Sequence, residues 1–212
     1  MSPIARTVAL CSVFIFLVVG MFVYSTVQTP QLSDDEMRDR GVFLLPRPRD
    51  IAPFALQDHT GEIFDNAHLR DRWTFVFFGF TQCPDVCPTT MSELGKVDAQ
   101  LRQSGGELAE PFQGVLITVD PEQDTAEVLG SYATAFSPRF LGVLGDKEPV
   151  AEFAQQVNAS FAKVPAEGGG YTMDHTGNII IINPRGHYHG FIKLPHKAET
   201  IRLAYQSLAQ QF

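Results

Sequence analysis

The sequence predicts an α/β domain, a central sheet covered on both faces by helices, carried behind one N-terminal membrane-spanning helix. Three observations predict it. A charge-free apolar run fills residues 7–27. Beyond it, short apolar runs with strand character alternate with amphipathic segments of helical period. Two cysteines four positions apart then sit where one such strand gives way to a helix. The chain has 212 residues, 44% apolar and 19% charged, a globular composition. Its 16 basic and 24 acidic residues leave a net charge of −8. With no Lys/Arg cluster, that balance argues against a nucleic-acid partner, which requires cations to displace phosphate counterions. The cysteines are Cys11, Cys83 and Cys87, too few for a disulfide-stapled miniprotein, so the close pair points to chemistry.

Residues 7–27, TVALCSVFIFLVVGMFVYSTV, would span roughly 31 Å as a helix, about one hydrocarbon core. Arg6 precedes the run and no charge follows until Asp34. The positive end should stay in the cytoplasm and the rest of the chain lie outside. A cleaved signal peptide has an apolar core of about 7–15 residues that ends in small residues. This run is longer, and Val23-Tyr24-Ser25 is a poor cleavage site, so residues 1–28 read as an anchor. Cys11 follows Leu10 inside the run and reads as a lipid-facing side chain rather than a lipidation site. With no Arg-rich transit segment, the expected location is a bacterial inner membrane, with the soluble part facing the periplasm. Residues 29–50, with their prolines and mixed charge, read as a tether, and residues 51–212 as one compact domain.

Within that domain, residues 54–56 and 62–64 flank Asp58-His59-Thr60-Gly61 as a small hairpin. Residues 73–80 (WTFVFFGF) are almost wholly apolar, as a strand buried on both faces should be. Residues 88–103 carry Met91, Leu94, Val97 and Leu101 at helical spacing, and residues 115–119 read as a second buried strand. Asp124 is placed to cap the next helix, with Glu127 as its reciprocal partner. Leu129, Tyr132 and Phe136 would be that helix's buried face. A short strand at 140–144 follows, then a helix marked by Val150, Phe153, Ala154 and Val157. Gly168-Gly169-Gly170 opens a loop. Residues 179–182 and 188–194 read as an antiparallel pair turned at Asn183-Pro184-Arg185-Gly186. Ile201, Ala204, Tyr205 and Leu208 line a last helix. Strand–helix–strand–helix, then hairpin and helix, is the order of a thioredoxin-like domain. A reactive pair after its first central strand sits at the sheet's C-terminal edge, where α/β sites gather.

The stretch Gly79-Phe80-Thr81-Gln82-Cys83-Pro84-Asp85-Val86-Cys87-Pro88 joins strand to helix. Unpaired N–H groups at a helix start carry partial positive charge. That field favours thiolates, so both Cys83 and Cys87 are expected to have lowered pKa values. Pro84 and Pro88 stiffen the turn. Thioredoxin-type redox pairs have two residues between the cysteines; this pair has three. One helical turn still brings the side chains together, which leaves a disulfide open to them. Two thiolates also chelate a soft ion, and Cu(I) is the softest common choice.

Two sulfurs leave a trigonal site one ligand short. His59, His68, His175, His187, His189 and His196 could complete it. His175 stands out, in Tyr171-Thr172-Met173-Asp174-His175, on the loop that enters the strand at 179 and that faces the cysteines in a thioredoxin-like layout. A redox protein of that fold carries a proline there; this chain has none between Pro165 and Pro184, which frees the position for a ligand. The plainer alternatives are a structural disulfide and a solvated surface histidine. His187 and His189 alternate on a strand, as a second metal site or an ordinary exposed face would have them. Met173 is a soft donor or a packing residue. Thr81, two before Cys83, is reminiscent of a peroxidatic cysteine site, but no partner set stands beside it.

Three stretches in order carry a resemblance: residues 79–90, Val119-Asp120-Pro121-Glu122-Gln123-Asp124-Thr125, and Tyr171-Thr172-Met173-Asp174-His175. The chain resembles the Sco/SenC family of copper-binding, thioredoxin-like proteins of respiratory membranes, from about residue 54 to the final helix and in its anchor. The resemblance implies that Cys83, Cys87 and His175 bind one copper ion. It implies a role in building the dinuclear copper centre of cytochrome c oxidase subunit II, by delivering copper, by reducing the target's cysteines, or both. A periplasmic copper donor would be a further partner. Gln82 stands where the family often has histidine, and Gln123 where it often has a basic residue; neither change removes a ligand. The rival function is a thiol–disulfide oxidoreductase acting through Cys83 and Cys87 without a physiological metal.

Overall fold

The computed structural model describes residues 2–27, 31–105, 108, 111–166 and 169–212, and for residues 23–27 the backbone alone. The chain divides into two units, Met1–Gln31 and Leu32–Phe212. In the first, Pro3–Val27 is a single helix, α1. Its apolar side chains, Leu10, Phe14, Leu17 and Phe22 among them, are exposed, and it is long and apolar enough to cross a membrane.

The second unit begins at Leu32, within the stretch 29–50 expected to be a tether. Residues 29 and 30 lie outside the described residues. Asp34–Asp39 is a short helix, α2, whose first turn is closed by Ser33 and Glu36, each side chain accepting from the other's backbone N–H. Val42–Arg49 is an edge strand, β1. The prolines that suggested a tether, Pro46 and Pro48, are tolerated at an edge, where no second neighbour needs their missing N–H. Leu32, Met37 and Val42 are buried, and the Leu32 N–H donates to Ser207 Oγ at 2.8 Å.

Ala55–Asp58 (β2) and Ile63–Asp65 (β3) form the expected hairpin. Trp73–Gly79 (β4) is buried at every position. Val86–Ser104 (α3) buries Met91, Leu94, Val97 and Leu101 and provides the crossover that lets Phe112–Thr118 (β5) lie parallel to β4. Ala126–Phe136 (α4), Leu141–Leu144 (β6) and Lys147–Gln156 (α5) follow. Phe161–Pro165 (β7) and Tyr171–His175 (β8) pair with each other in a separate two-stranded sheet. Ile179–Ile182 (β9), Tyr188–Ile192 (β10) and Ala198–Gln211 (α6) close the chain. The main sheet runs β1-β10-β9-β4-β5-β6-β2-β3. Its middle strands β9, β4 and β5 are wholly buried, as a mixed sheet with helices on both faces requires. The architecture is thioredoxin-like.

Three local expectations change. Asp124 does not cap α4; Thr125 does, its side chain accepting from the Val128 N–H at 3.3 Å. The buried face of α4 is Leu129, Gly130 and Ala133, while Tyr132 and Phe136 are half-buried. The glycine loop is the tip of the β7–β8 hairpin: Gly169 and Gly170 take φ of +101° and +79°, values that side-chain-bearing residues rarely adopt. Gly168 lies outside the described residues.

The helix α3 meets α4 closely at Gly95, where a Cβ would stand 2.5 Å from the Phe136 carbonyl oxygen. Three residues on, Asp98 is fully buried. It accepts from Ser137 Oγ at 2.7 Å, from Arg102 Nε at 2.9 Å and from Arg139. Burial opposes the charge of Asp98, but the bonds from Ser137, Arg139 and Arg102 outweigh it and hold the carboxyl below its ordinary value. A depressed folded pKa means the network's stabilisation is complete above the unfolded carboxylate value, near 4, and disappears as pH falls through the depressed one. Asp98→Ala is expected to cost about 2–3 kcal/mol at neutral pH, read as a lower denaturant midpoint with unchanged slope. The gap from wild type should close on titration below pH ~4.

Candidate metal centre

The strands β4 and β5 end side by side. The Val119 N–H donates to the Gly79 carbonyl at 2.9 Å, so the segments leaving both strands start from one edge of the sheet. The turn after β4 holds Cys83; Cys87 is the second residue of α3. The Cys87 N–H, free at the helix start, donates to Cys83 Sγ at 3.4 Å. Asp124, 1% exposed, fixes the turn from the neighbouring segment. It accepts from the Thr81 N–H at 3.1 Å, from Thr81 Oγ1 at 2.5 Å and from Thr118 Oγ1 at 2.6 Å. The Thr81 hydroxyl, read above beside a peroxidatic site, is thus turned toward a carboxylate. Nothing in the spacing of Asp124 revealed this role, because Thr81 stands 43 residues away, in the turn after β4.

His175 is the last residue of β8 rather than part of a loop. Its ring packs edge-on against Phe77 and Phe80, with centroids 5.7 and 5.9 Å away. Nδ1 lies 3.3 Å from the Thr176 carbonyl oxygen. A carbonyl can only accept, so Nδ1 carries the proton and Nε2 keeps its lone pair. Nε2 lies 3.6 Å from Cys87 Sγ. The ligand atoms of Cys83, Cys87 and His175 all fall within 4.8 Å of one another. A three-coordinate ion with bonds of about 2.3 Å would hold its donors about 4 Å apart, so this set of two sulfurs and one imidazole fits a soft metal.

The other histidines are engaged elsewhere. His59 Nδ1 accepts from the Gly142 N–H at 3.3 Å, and His68 lies 3.0 Å from Asp65. His187 faces Asp50 at 3.2 Å, while His189 meets Asn183 at 3.2 Å. The two do not converge with a third donor among the described residues. His196 donates from Nε2 to the Ile192 carbonyl at 3.2 Å and pairs through Nδ1 with Thr90 at 2.9 Å.

The two sulfurs are unlike. Cys83 is half-buried and lines a cleft of about 300 Å³ with Phe80, Met173, His175 and Leu194. Cys87 is buried behind it. Gly79 leaves the room Cys87 occupies: a Cβ there would stand 2.9 Å from Sγ. Both cysteines are free thiols. The expected lowering of pKa fails at Cys87, whose thiol is pushed up by burial and then by the adjacent Cys83. Desolvation overrides the helix start there. Burial likewise lowers the pKa of His175, which keeps the imidazole neutral and able to donate its lone pair.

A family model described as SCO1/SenC matches residues 45–210. A protein of Stutzerimonas stutzeri, described as a proposed copper-binding protein, is 36% identical over 161 residues, covering 76% of this chain and 78% of that one. The human mitochondrial protein SCO2 homolog is 36% identical over 149 residues, 70% of this chain; the match spans about half of that protein, 55%. The copper-bound structure of Bradyrhizobium japonicum ScoI superposes with a TM-score of 0.64 at 32% identity, over 73% of this chain and 96% of that one.

The asymmetry of the sulfurs can be read directly. In reduced, metal-free protein at neutral pH, iodoacetamide should label Cys83 at least about tenfold faster than Cys87. Peptide mapping over time checks the order; equal rates would contradict the burial described.

Proposed function

The chain belongs to the SCO1/SenC family, and from that premise we propose that it is a membrane-anchored copper metallochaperone whose cargo ion is held by Cys83, Cys87 and His175. The observation that carries this reading is the convergence of two sulfurs and an imidazole Nε2 within 4.8 Å. The donor set matches the preference of Cu(I) for soft ligands, and the named relatives include a structure with copper bound. Cu(II) favours more ligands and tetragonal geometry, so water or a further side chain would complete its site.

Loading begins with the thiols. The Cys87 proton, favoured by burial, must leave for the sulfur to bind, so uptake releases acid and affinity falls as pH falls. Unloading is a ligand exchange through the cleft. Cys83 and His175 border it and Cys87 lies behind, so a recipient's thiolates would displace the neutral imidazole and Cys83 before Cys87. The recipient in this reading is the dinuclear copper centre of cytochrome c oxidase subunit II. Cargo would come from a periplasmic copper donor. With α1 in the inner membrane of a bacterium and the domain in the periplasm, the search for a membrane-bound recipient is confined near one plane, which raises effective concentration.

A second reading is favoured by the unequal burial of the two thiols. The accessible Cys83 thiolate would attack a target disulfide, forming a mixed disulfide and expelling one target thiolate. Cys87, once deprotonated, would then attack Cys83 and release the second, leaving a Cys83–Cys87 disulfide and a reduced target. This would serve to prepare the cysteines of the same copper centre.

Cu(I) titration of the reduced full chain in detergent separates the two. The wild type should bind one equivalent with an X-ray absorption shell of two sulfurs and one nitrogen. His175→Ala should lose the nitrogen and at least about tenfold in affinity. Equal affinity in the two proteins would remove the histidine from the site. Disulfide turnover unaffected by both His175→Ala and copper chelation would favour the second reading.

A further inference from the structure

We propose that Tyr171 and Asp120 form a latch that sets where His175 stands, making both of them positioning residues of the metal centre. The proposal rests on the reading of His175 as the third ligand.

Pairing in β7 and β8 is confined to those two strands, with no ladder to the main sheet. Alternate residues of β8, Tyr171, Met173 and His175, point to one face. Met173 is buried and the other two half-buried, so this is the face turned to the body of the domain. The hydrogen bond from His175 Nδ1 goes to the residue next in chain, Thr176, so beyond its own segment the ring meets only the edge-on contacts with Phe77 and Phe80 and the Cys87 sulfur among the described residues.

The start of β8 is tied differently. Tyr171 Oη donates to Asp120 Oδ1 at 3.0 Å and accepts from Gln123 Nε2 at 3.3 Å. Lys163 of β7 lies over the Tyr171 ring at 3.6 Å and pairs with Glu122 at 2.8 Å. Asp120 is firm ground, 5% exposed, with its own N–H bonded to Thr118 Oγ1 at 3.1 Å.

The polar partners of Tyr171 and Lys163 therefore sit on the segment between β5 and α4, the one whose Asp124 grips the cysteine turn. Asp124 fixes the sulfur side of the site and Asp120 the imidazole side. A hairpin released at Tyr171 would leave two sulfurs without their nitrogen. Apparent affinity would then fall by the fraction of molecules still closed.

The test uses the full chain in detergent. Tyr171→Phe keeps the ring under Lys163 and deletes the hydroxyl; Asp120→Ala deletes the acceptor; Asp120→Asn keeps an acceptor oxygen. Tyr171→Phe and Asp120→Ala are each expected to lose roughly tenfold in Cu(I) affinity and to lower the nitrogen content of the absorption shell. In metal-free protein, amide exchange at residues 171–175 should accelerate by a similar factor. Asp120→Asn should restore most of both, and all three should melt cooperatively. Wild-type affinity, nitrogen shell and exchange rates in both Tyr171→Phe and Asp120→Ala would overturn the latch. A wild-type shell without nitrogen would instead bring down the ligand assignment itself, a distinct failure.

Discussion

The buried carboxylate of Asp124 is the constraint on which the site depends. A charge taken out of water is costly unless every oxygen finds donors. Here the donors are the Thr81 N–H, the Thr81 hydroxyl and the Thr118 hydroxyl. Those groups come from the ends of two parallel strands that part company just beyond the sheet. Satisfying one carboxylate therefore joins the turn after β4 to the segment after β5, and the cysteines inherit a fixed place at the sheet's edge. The rest of the centre is hung on that join.

What could be read from the chain follows the range of the forces involved. Elements specified by local period were legible: the wholly apolar β4, the Met91–Leu94–Val97–Leu101 stripe of α3, and the β2–β3 and β9–β10 hairpins. The nearness of Cys83 to Cys87 was also legible, although Cys83 stands in the turn before α3 and not on the helix, and meets Cys87 through the Cys87 N–H. Residues 32–49 were not, because Pro46, Pro48 and the charges between them mask a strand that needs only one neighbour. The β7–β8 hairpin was hidden by a similar lack of local signal, with both strands only partly buried. Asp124 was assigned to the helix beside it in sequence, whereas its partners are Thr118 at the end of β5 and Thr81, 43 residues back in the turn after β4. The thiol of Cys87 departed from expectation for a related reason: a helix start is visible in sequence, but the depth of burial that overrides it is a property of the assembled core.

The chain belongs to the SCO1/SenC family, and the proposed site can be set beside that membership. The family match runs over residues 45–210, and the cluster of two sulfurs and one imidazole lies inside it. The division of labour among the histidines sharpens this. His59, His68, His187, His189 and His196 each meet a nearby protein group. The protonated Nδ1 of His175 leaves its Nε2 turned toward sulfur.

Gly79 and its neighbours give the centre a mechanical character. A methyl group at position 79 would collide with Cys87 Sγ and would crowd Phe77 and Leu116 as well. That sulfur is fully buried, set against the backbone of a central strand. The imidazole, by contrast, arrives on a ribbon outside the main sheet. In the proposed function, an ion entering between them would meet one wall packed against the main sheet and one carried on a separate ribbon. Differences in radius or oxidation state would then be taken up by travel of the ring, with the inner sulfur as the fixed reference point.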